Sequence, residues 1–196
     1  MITIEKSKIL AVEGKDECNF FDSFFNNFDI SGVQIIDFGG KAKFNSKIRD
    51  LTKTPGFENV IKMGLVRDSD NVDPKIIFDS INAELSKLGY SQPTSLSEFT
   101  NDNPSIGIFI MPNNSDFGVL EDLCLKSVNS TIISCIKNLF ECCTAHPKEC
   151  SKAQVQCYLA TCNPLVNSLG LGAHKNHWDF KDIVFEELNE FVMNFN

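Results

Sequence analysis

ILAVEGKDECNFF, residues Ile9 to Phe21, changes its periodicity at one glycine. An apolar run climbs to Glu13 and breaks at Gly14. A charged turn then leads into Phe20, Phe21, Phe24, Phe25 and Phe28, which recur at helical spacing. The stretch therefore predicts a buried strand ending at Glu13, a tight turn and a core-facing helix. It also poses a problem of charge. A carboxylate at the end of a buried strand is costly unless something neutralises it.

Outward from this unit the alternation continues. SGVQIIDFGG predicts a second strand closed by Gly39-Gly40, and FNSKIRDLTKTPGF a short helix ended by Pro55-Gly56. NVIKMGLVRDSD predicts a third strand ending in two aspartates. A helix follows from Pro74 to about Gly89, with proline early where it is tolerated. SIGIFIMP is a fourth, wholly apolar strand bounded by proline. Beyond it the pattern is helical in VLEDLCLKSV, STIISCIKNLFECC, SKAQVQCYLATC and DIVFEELNEFVMNF, with a loop and a short helical piece between Asn163 and Phe180. Strand-helix alternation implies parallel strands joined by right-handed crossovers. The expected fold is α/β: an open, mainly parallel four-stranded sheet with helices on both faces, plus a helical C-terminal part. Residues 1–128 form the expected α/β core and 129–196 a helical extension packed on the same domain.

In such sheets ligands bind outside the carboxyl ends of the strands. Glu13 ends the first strand and Asp68 and Asp70 the third, so neighbouring strands would bring three acids to one edge. Two aspartates one residue apart on an extended chain point the same way. Three converging carboxylates repel unless a cation joins them. Strand-end acids can instead cap the following helices or form salt bridges, and Ser69 and Asp70 are placed to cap the helix near Pro74.

Composition sets further limits. The chain has 196 residues, suited to one domain, and a net charge of −8, which disfavours coating of nucleic acid through clustered Lys and Arg. No apolar run approaches the ~18–20 residues of a membrane span, and the N-terminus lacks the order of a secretory leader. A cytoplasmic protein is expected. Of eight cysteines, seven lie between Cys124 and Cys162. CCTAHPKEC offers Cys142, Cys143, His146 and Cys150 as zinc donors, but it lacks a C-x-x-C pair, and reduced thiols packed as small hydrophobes are the expectation.

Glu13-Gly14 in VEGKDE and Asp68-Ser69-Asp70 in LVRDSD resemble a Toprim domain, the catalytic module of topoisomerases, bacterial primases and OLD-family nucleases. The Gly39-Gly40-Lys41 loop, FGVLEDL around Glu121, KAQVQCYLAT and HKNHWDF extend the likeness to a small stand-alone Toprim-like branch, mostly of uncharacterised function, over nearly the whole chain. The resemblance implies a Toprim, Rossmann-like fold. It implies Glu13 as metal ligand or general acid/base, Asp68 and Asp70 as metal ligands, and Glu121 as a further ligand, with Asp122 beside it. Acids in a first helical turn also favour the dipole. The cofactor implied is Mg²⁺ (or Mn²⁺), held by a few carboxylates and substrate phosphate. Lys175 is matched to a late catalytic lysine of OLD-type nucleases. Its neighbours His174 and His177 read as surface residues near Trp178. Gly14, Lys15, Gly39, Gly40 and Lys41 are matched to substrate binding, although each lysine taken singly also suits a plain surface. Many Toprim domains carry another acid two residues after D-x-D. Here Asn71 and Val72 intervene before Asp73, so a second ion would rest on Asp73 or Glu121.

Tyr90 and Tyr158 are the only tyrosines, and no separate nucleophile domain is evident, which argues against a topoisomerase. A zinc ribbon and a G-x-x-x-x-G-K-[ST] loop are both absent, against a primase and an ATPase-linked nuclease. The expectation is a metal-dependent phosphodiester-cleaving protein, nuclease-like, acting on nucleic acid or nucleotide phosphate, with phage defence as one setting and a homodimer left open. The alternative is a non-catalytic, metal-dependent phosphate-binding or interaction module.

Overall fold

The computed structural model describes residues 3–143 and 147–196. Four strands, β1 (Lys8–Val12), β2 (Val33–Asp37), β3 (Lys62–Asp68) and β4 (Ser105–Met111), form an open sheet in the order β2-β1-β3-β4. Every pairing is parallel, with Val12 opposite Asp37, Ala11 opposite Leu65 and Asp68 opposite Met111. Helices α1 (Lys15–Asn27), α2 (Phe44–Thr52) and α3 (Pro74–Lys87) make the crossovers. Then come α4 (Leu120–Lys126), α5 (Ser130–Cys142), α6 (Cys150–Leu159), α7 (Leu169–His174) and α8 (Glu186–Met193). The α/β architecture is Rossmann-like, as the alternation predicts.

The pleat sorts the core into two halves, because successive strand residues face opposite sides. Leu10, Val12, Val66 and Phe109 pack with α1 and the C-terminal helices, burying Phe20, Phe24, Phe185, Phe191 and Phe195. Ile9, Ala11, Leu65 and Ile108 pack with α2 and α3, against Phe44, Ile48, Ile77 and Ile81. The phenylalanine stripe of α1 is core. Phe195 reaches back under the sheet, where a Cβ on Gly64 would lie 2.7 Å from its ring. The Lys8 and Lys62 ammonium groups donate to the carbonyls of Phe195 and Asn194.

Two local expectations need correcting. The cap of α3 is Asp73, whose side chain accepts from the Lys75 N–H, and not Ser69 or Asp70. The cysteines do not behave alike: Cys124 is buried, but Cys135, Cys142, Cys143 and Cys150 are exposed thiols and not core. His146 lies outside the described residues. Among those residues, no helix is long and apolar enough to cross a membrane.

Candidate functional site

The strand ends that should carry the acids do share an edge. Because β1 lies between β2 and β3, the loops leaving all three meet over the end of β1. Two adjoining cavities of about 470 and 560 Å³ open there and share Glu13, Glu17, Gly40 and Lys152. Such volumes are of the size that holds a small ligand.

Gly39 and Gly40 both take positive φ, 73° and 100°, which suits glycine in this turn. The Gly39 N–H donates to Asp37 Oδ1 at 2.6 Å and the Gly40 N–H to the Glu13 carbonyl at 2.7 Å, so the loop folds over the end of β1. Gly14 starts α1 in extended backbone. Glu17, one helical turn beyond Glu13, faces the same cavities.

Glu13 sits low in the cleft. Its Oε1 is buried and forms no hydrogen bond, although Arg67 Nε lies 3.5 Å away. Burial pushes its carboxyl up to about 7; Arg67 opposes the rise, and Asp70 and Glu17 add to it. Asp68 is pushed well up, first by burial and then by the charges of Glu13, Glu17, Glu121 and Asp70. Glu17 and Glu121 are also raised, mainly by burial. Four carboxylates thus resist ionisation together.

The aspartate pair is not extended throughout. Asp68 closes β3, and its Oδ1 accepts from the Leu120 N–H at 3.2 Å, at the start of α4. Ser69 is buried. Asp70 takes φ 51° and pairs across to Gly118, its N–H on the Gly118 carbonyl at 2.7 Å. Its carboxylate meets Lys41 at 3.0 Å. The backbone turns at Asp70, so the two side chains do not continue the parallel alternation expected of an extended exit.

Among the described residues, no group of three His, Cys, Asp or Glu side chains is drawn together closely enough to hold an ion. The pleat explains why. Arg67 shares the α2–α3 face with Leu65 and draws Glu13 towards it, whereas Asp68 follows Val66 towards α4. The acids line one cleft without converging on one point. Their chemistry nonetheless suits a hard divalent ion: all donors are carboxylate oxygens, and one of them, Glu13 Oε1, is buried and accepts no hydrogen bond.

Glu121, at the start of α4, faces the first cavity, and Asp122 the second. Asp122 turns back to accept from the Val119 N–H at 2.9 Å and from the Ser151 hydroxyl at 2.5 Å, tying α4 to α6. Lys15 lines the first cavity and Lys41 the second.

Lys175 is not brought into the cleft. It follows α7, which lies along α1 with Gly170 over Asp16 and Asn19. The preceding residue, His174, meets Ser23 at 2.7 Å, about two turns down α1 from the rim. The cation the structure places in both cavities is Lys152 of α6, 3.1 Å from Glu149 and within the field of Glu121 and Glu17. The residues that sequence reasoning missed are thus Glu17, Arg67 and Lys152. The spacing of Glu17 from Glu13 was a readable signal; Lys152 opens the segment KAQVQCYLAT, but nothing in that segment placed the lysine over the sheet edge.

The family described as "Protein of unknown function (DUF3226)" matches residues 7–195. No curated protein matches the sequence. Among solved structures, the C-terminal region of the Burkholderia pseudomallei OLD protein superposes with a TM-score of 0.54 at 14% identity, covering 98% of this chain and 100% of that one. The likeness is one of fold.

Proposed function

This chain belongs to the DUF3226 family of proteins of unknown function, and we propose that its cleft is a Toprim-type, divalent-metal-dependent phosphodiester-cleaving site acting on nucleic acid. The observation that carries the reading is Glu13: a strand-end carboxyl held near 7, with a buried oxygen that accepts no hydrogen bond, in a carboxylate-lined cleft. The fold shared with the OLD C-terminal region and the Glu-Gly and D-x-D motifs at adjoining strand ends support it.

Asp68 and Asp70 would hold Mg²⁺ or Mn²⁺, with Glu17 and Glu121 as the further acids of the cleft and Glu13 as either a ligand or the proton-transfer group. When bound, the ion supplies charge stabilisation to a phosphoryl oxygen and lowers the pKa of water. The chain's own groups do the rest. A carboxyl titrating near neutrality suits proton transfer at Glu13. Lys152 and Lys15 offer ammonium groups to phosphate oxygens. The Gly39-Gly40 turn leaves room for a backbone to approach, since a Cβ at either position would meet nothing within 4 Å.

A different observation favours the second reading, a phosphate-binding module without turnover: Arg67 and Lys41 already occupy Glu13 and Asp70. One experiment separates the two. Protein is incubated with Mg²⁺ or Mn²⁺ and single-stranded DNA, double-stranded DNA or RNA, beside Asp68→Asn. Cleavage by wild type alone supports the enzyme. Metal binding without cleavage of any substrate supports the module. Equal cleavage by Asp68→Asn refutes the site.

A further inference from the structure

We infer that Lys41 is an exchangeable internal cation: it holds Asp70 until a divalent ion takes its place, and it is then released to bind the phosphate of the incoming ligand. The inference rests on the metal reading above and concerns the order of events in that cleft.

The geometry is that of a strap. Lys41 leaves the end of β2, Asp70 leaves the end of β3, and β1 lies between them. Their 3.0 Å ion pair therefore bridges the loops leaving the strands on either side of β1. Lys41 and Asp70 both line the second cavity, and Gly40, one residue before Lys41, lines both cavities. Both ends are built to move or to be held. Lys41 follows two glycines in positive φ, and its side chain is 59% exposed, on a flexible stem. The Asp70 backbone is fixed by pairing to Gly118, so the residue keeps its place on the rim if the lysine departs.

The chemistry of exchange follows from charge. An exposed lysine–carboxylate pair contributes little, because water and side-chain entropy offset most of the attraction. A divalent ion brings twice the charge to the same oxygen and draws on the neighbouring carboxylates as well, so it outcompetes one ammonium. Without the ion, Lys41 is neutralised by Asp70 and offers little to an anion. With the ion seated, the same ammonium is free beside a positive centre, and phosphate binding and ion binding reinforce each other.

The test uses the whole chain and Mn²⁺ binding read by titration calorimetry, not turnover. Lys41→Ala is expected to bind Mn²⁺ about three- to tenfold more tightly than wild type, because one competitor and its positive charge are gone. Lys41→Arg keeps a competing cation and is expected to stay near the wild-type affinity. With inorganic phosphate as the probe, Mn²⁺ should strengthen phosphate binding in wild type and do so clearly less in Lys41→Ala. Equal or weaker Mn²⁺ binding by Lys41→Ala, with an unchanged melting temperature, overturns the inference while the metal reading stands. Mn²⁺ binding by neither protein overturns both.

Discussion

Raising the pH through neutrality should destabilise this protein, and Glu13 should account for a measurable share of the loss. Its carboxyl moves from an ordinary 4.5 to about 7 on folding, chiefly through burial. The folded state therefore binds this proton more tightly than the unfolded chain does. The resulting stability is fully present below about pH 4.5 and is lost as pH rises through about 7. At ~1.4 kcal/mol per pH unit, the part falling between pH 5 and 8 is ~2.5 kcal/mol. Solvent reaches the cleft and screens some of this, so ~1.5 kcal/mol is the working figure. The comparison is wild type against Glu13→Gln by urea unfolding at pH 5 and pH 8 in the presence of EDTA. Glutamine mimics the protonated acid, and the attraction of Arg67 for the ionised form is already contained in the net rise to about 7. Asp68, Glu17 and Glu121 are raised as well, so both proteins should lose stability at pH 8. Wild type should lose ~1.5 kcal/mol more. Parallel losses in the two proteins would refute the claim that Glu13 is held protonated by the fold.

Three further outcomes are expected. Adding Mg²⁺ or Mn²⁺ should raise the wild-type melting temperature at pH 8 far more than at pH 5, because an ion needs the ionised acids and displaces their protons; Asp68→Asn should abolish the gain in a thermal-shift assay. If the protein cleaves nucleic acid, Lys152→Ala should slow it by roughly 10²-fold, the scale of losing one group that stabilises transition-state charge, whereas Lys175→Ala should leave the rate near wild type in a gel-based assay. Phe195→Ala should cost ~3–5 kcal/mol in urea unfolding, since the ring is fully buried and packs on Phe25, Phe99 and Phe191.

The strand and helix order was legible because each parallel strand here is an apolar run bounded by turn residues, and each crossover helix carries its own stripe. Topology then followed from chain economy. Glu13 and the aspartate pair could be placed on one rim for the same reason. What the pattern could not supply was side-chain direction beyond the last paired residue. Arg67 pulling Glu13 one way, and the Leu120 N–H holding Asp68 the other, are tertiary facts. So is the φ of 51° at Asp70, imposed by pairing with Gly118, 48 positions along the chain. Lys152 was illegible for a related reason. The arrangement of α4 to α8 on the sheet is fixed by how phenylalanines from distant segments interlock, and no local periodicity encodes which of those helices overhangs the cleft. Both glycines of LGLGAHK, the segment that ends at Lys175, serve packing: a Cβ at Gly170 would strike Asn19 and Asp16, and one at Gly172 would strike Leu159.

Helix capping and ion holding are often set against each other as explanations for strand-end acids, yet the cleft gives reason to keep both. A carboxylate has about four acceptor sites. The Leu120 N–H takes one on Asp68, and the Leu169 and Gly170 N–H groups take one on each oxygen of Asp16. Such contacts fix where a carboxylate sits without consuming its capacity for a cation. They also fail to neutralise it, which is why Asp68 remains raised despite its partner. The lysines do no better: Lys41 and Lys152 are largely exposed, so their charges are weakened by water before they reach the base of the cleft. Under the proposed reading, a cation small enough to reach the buried oxygens would neutralise the capped acids. Uptake of such an ion would release the proton that Glu13 holds below about pH 7, and proton release on Mn²⁺ titration near that pH measures the claim directly. Mn²⁺ binding without proton release would mean that Glu13 is already ionised in the fold, and no Mn²⁺ binding would mean that the acids serve only to hold its helices.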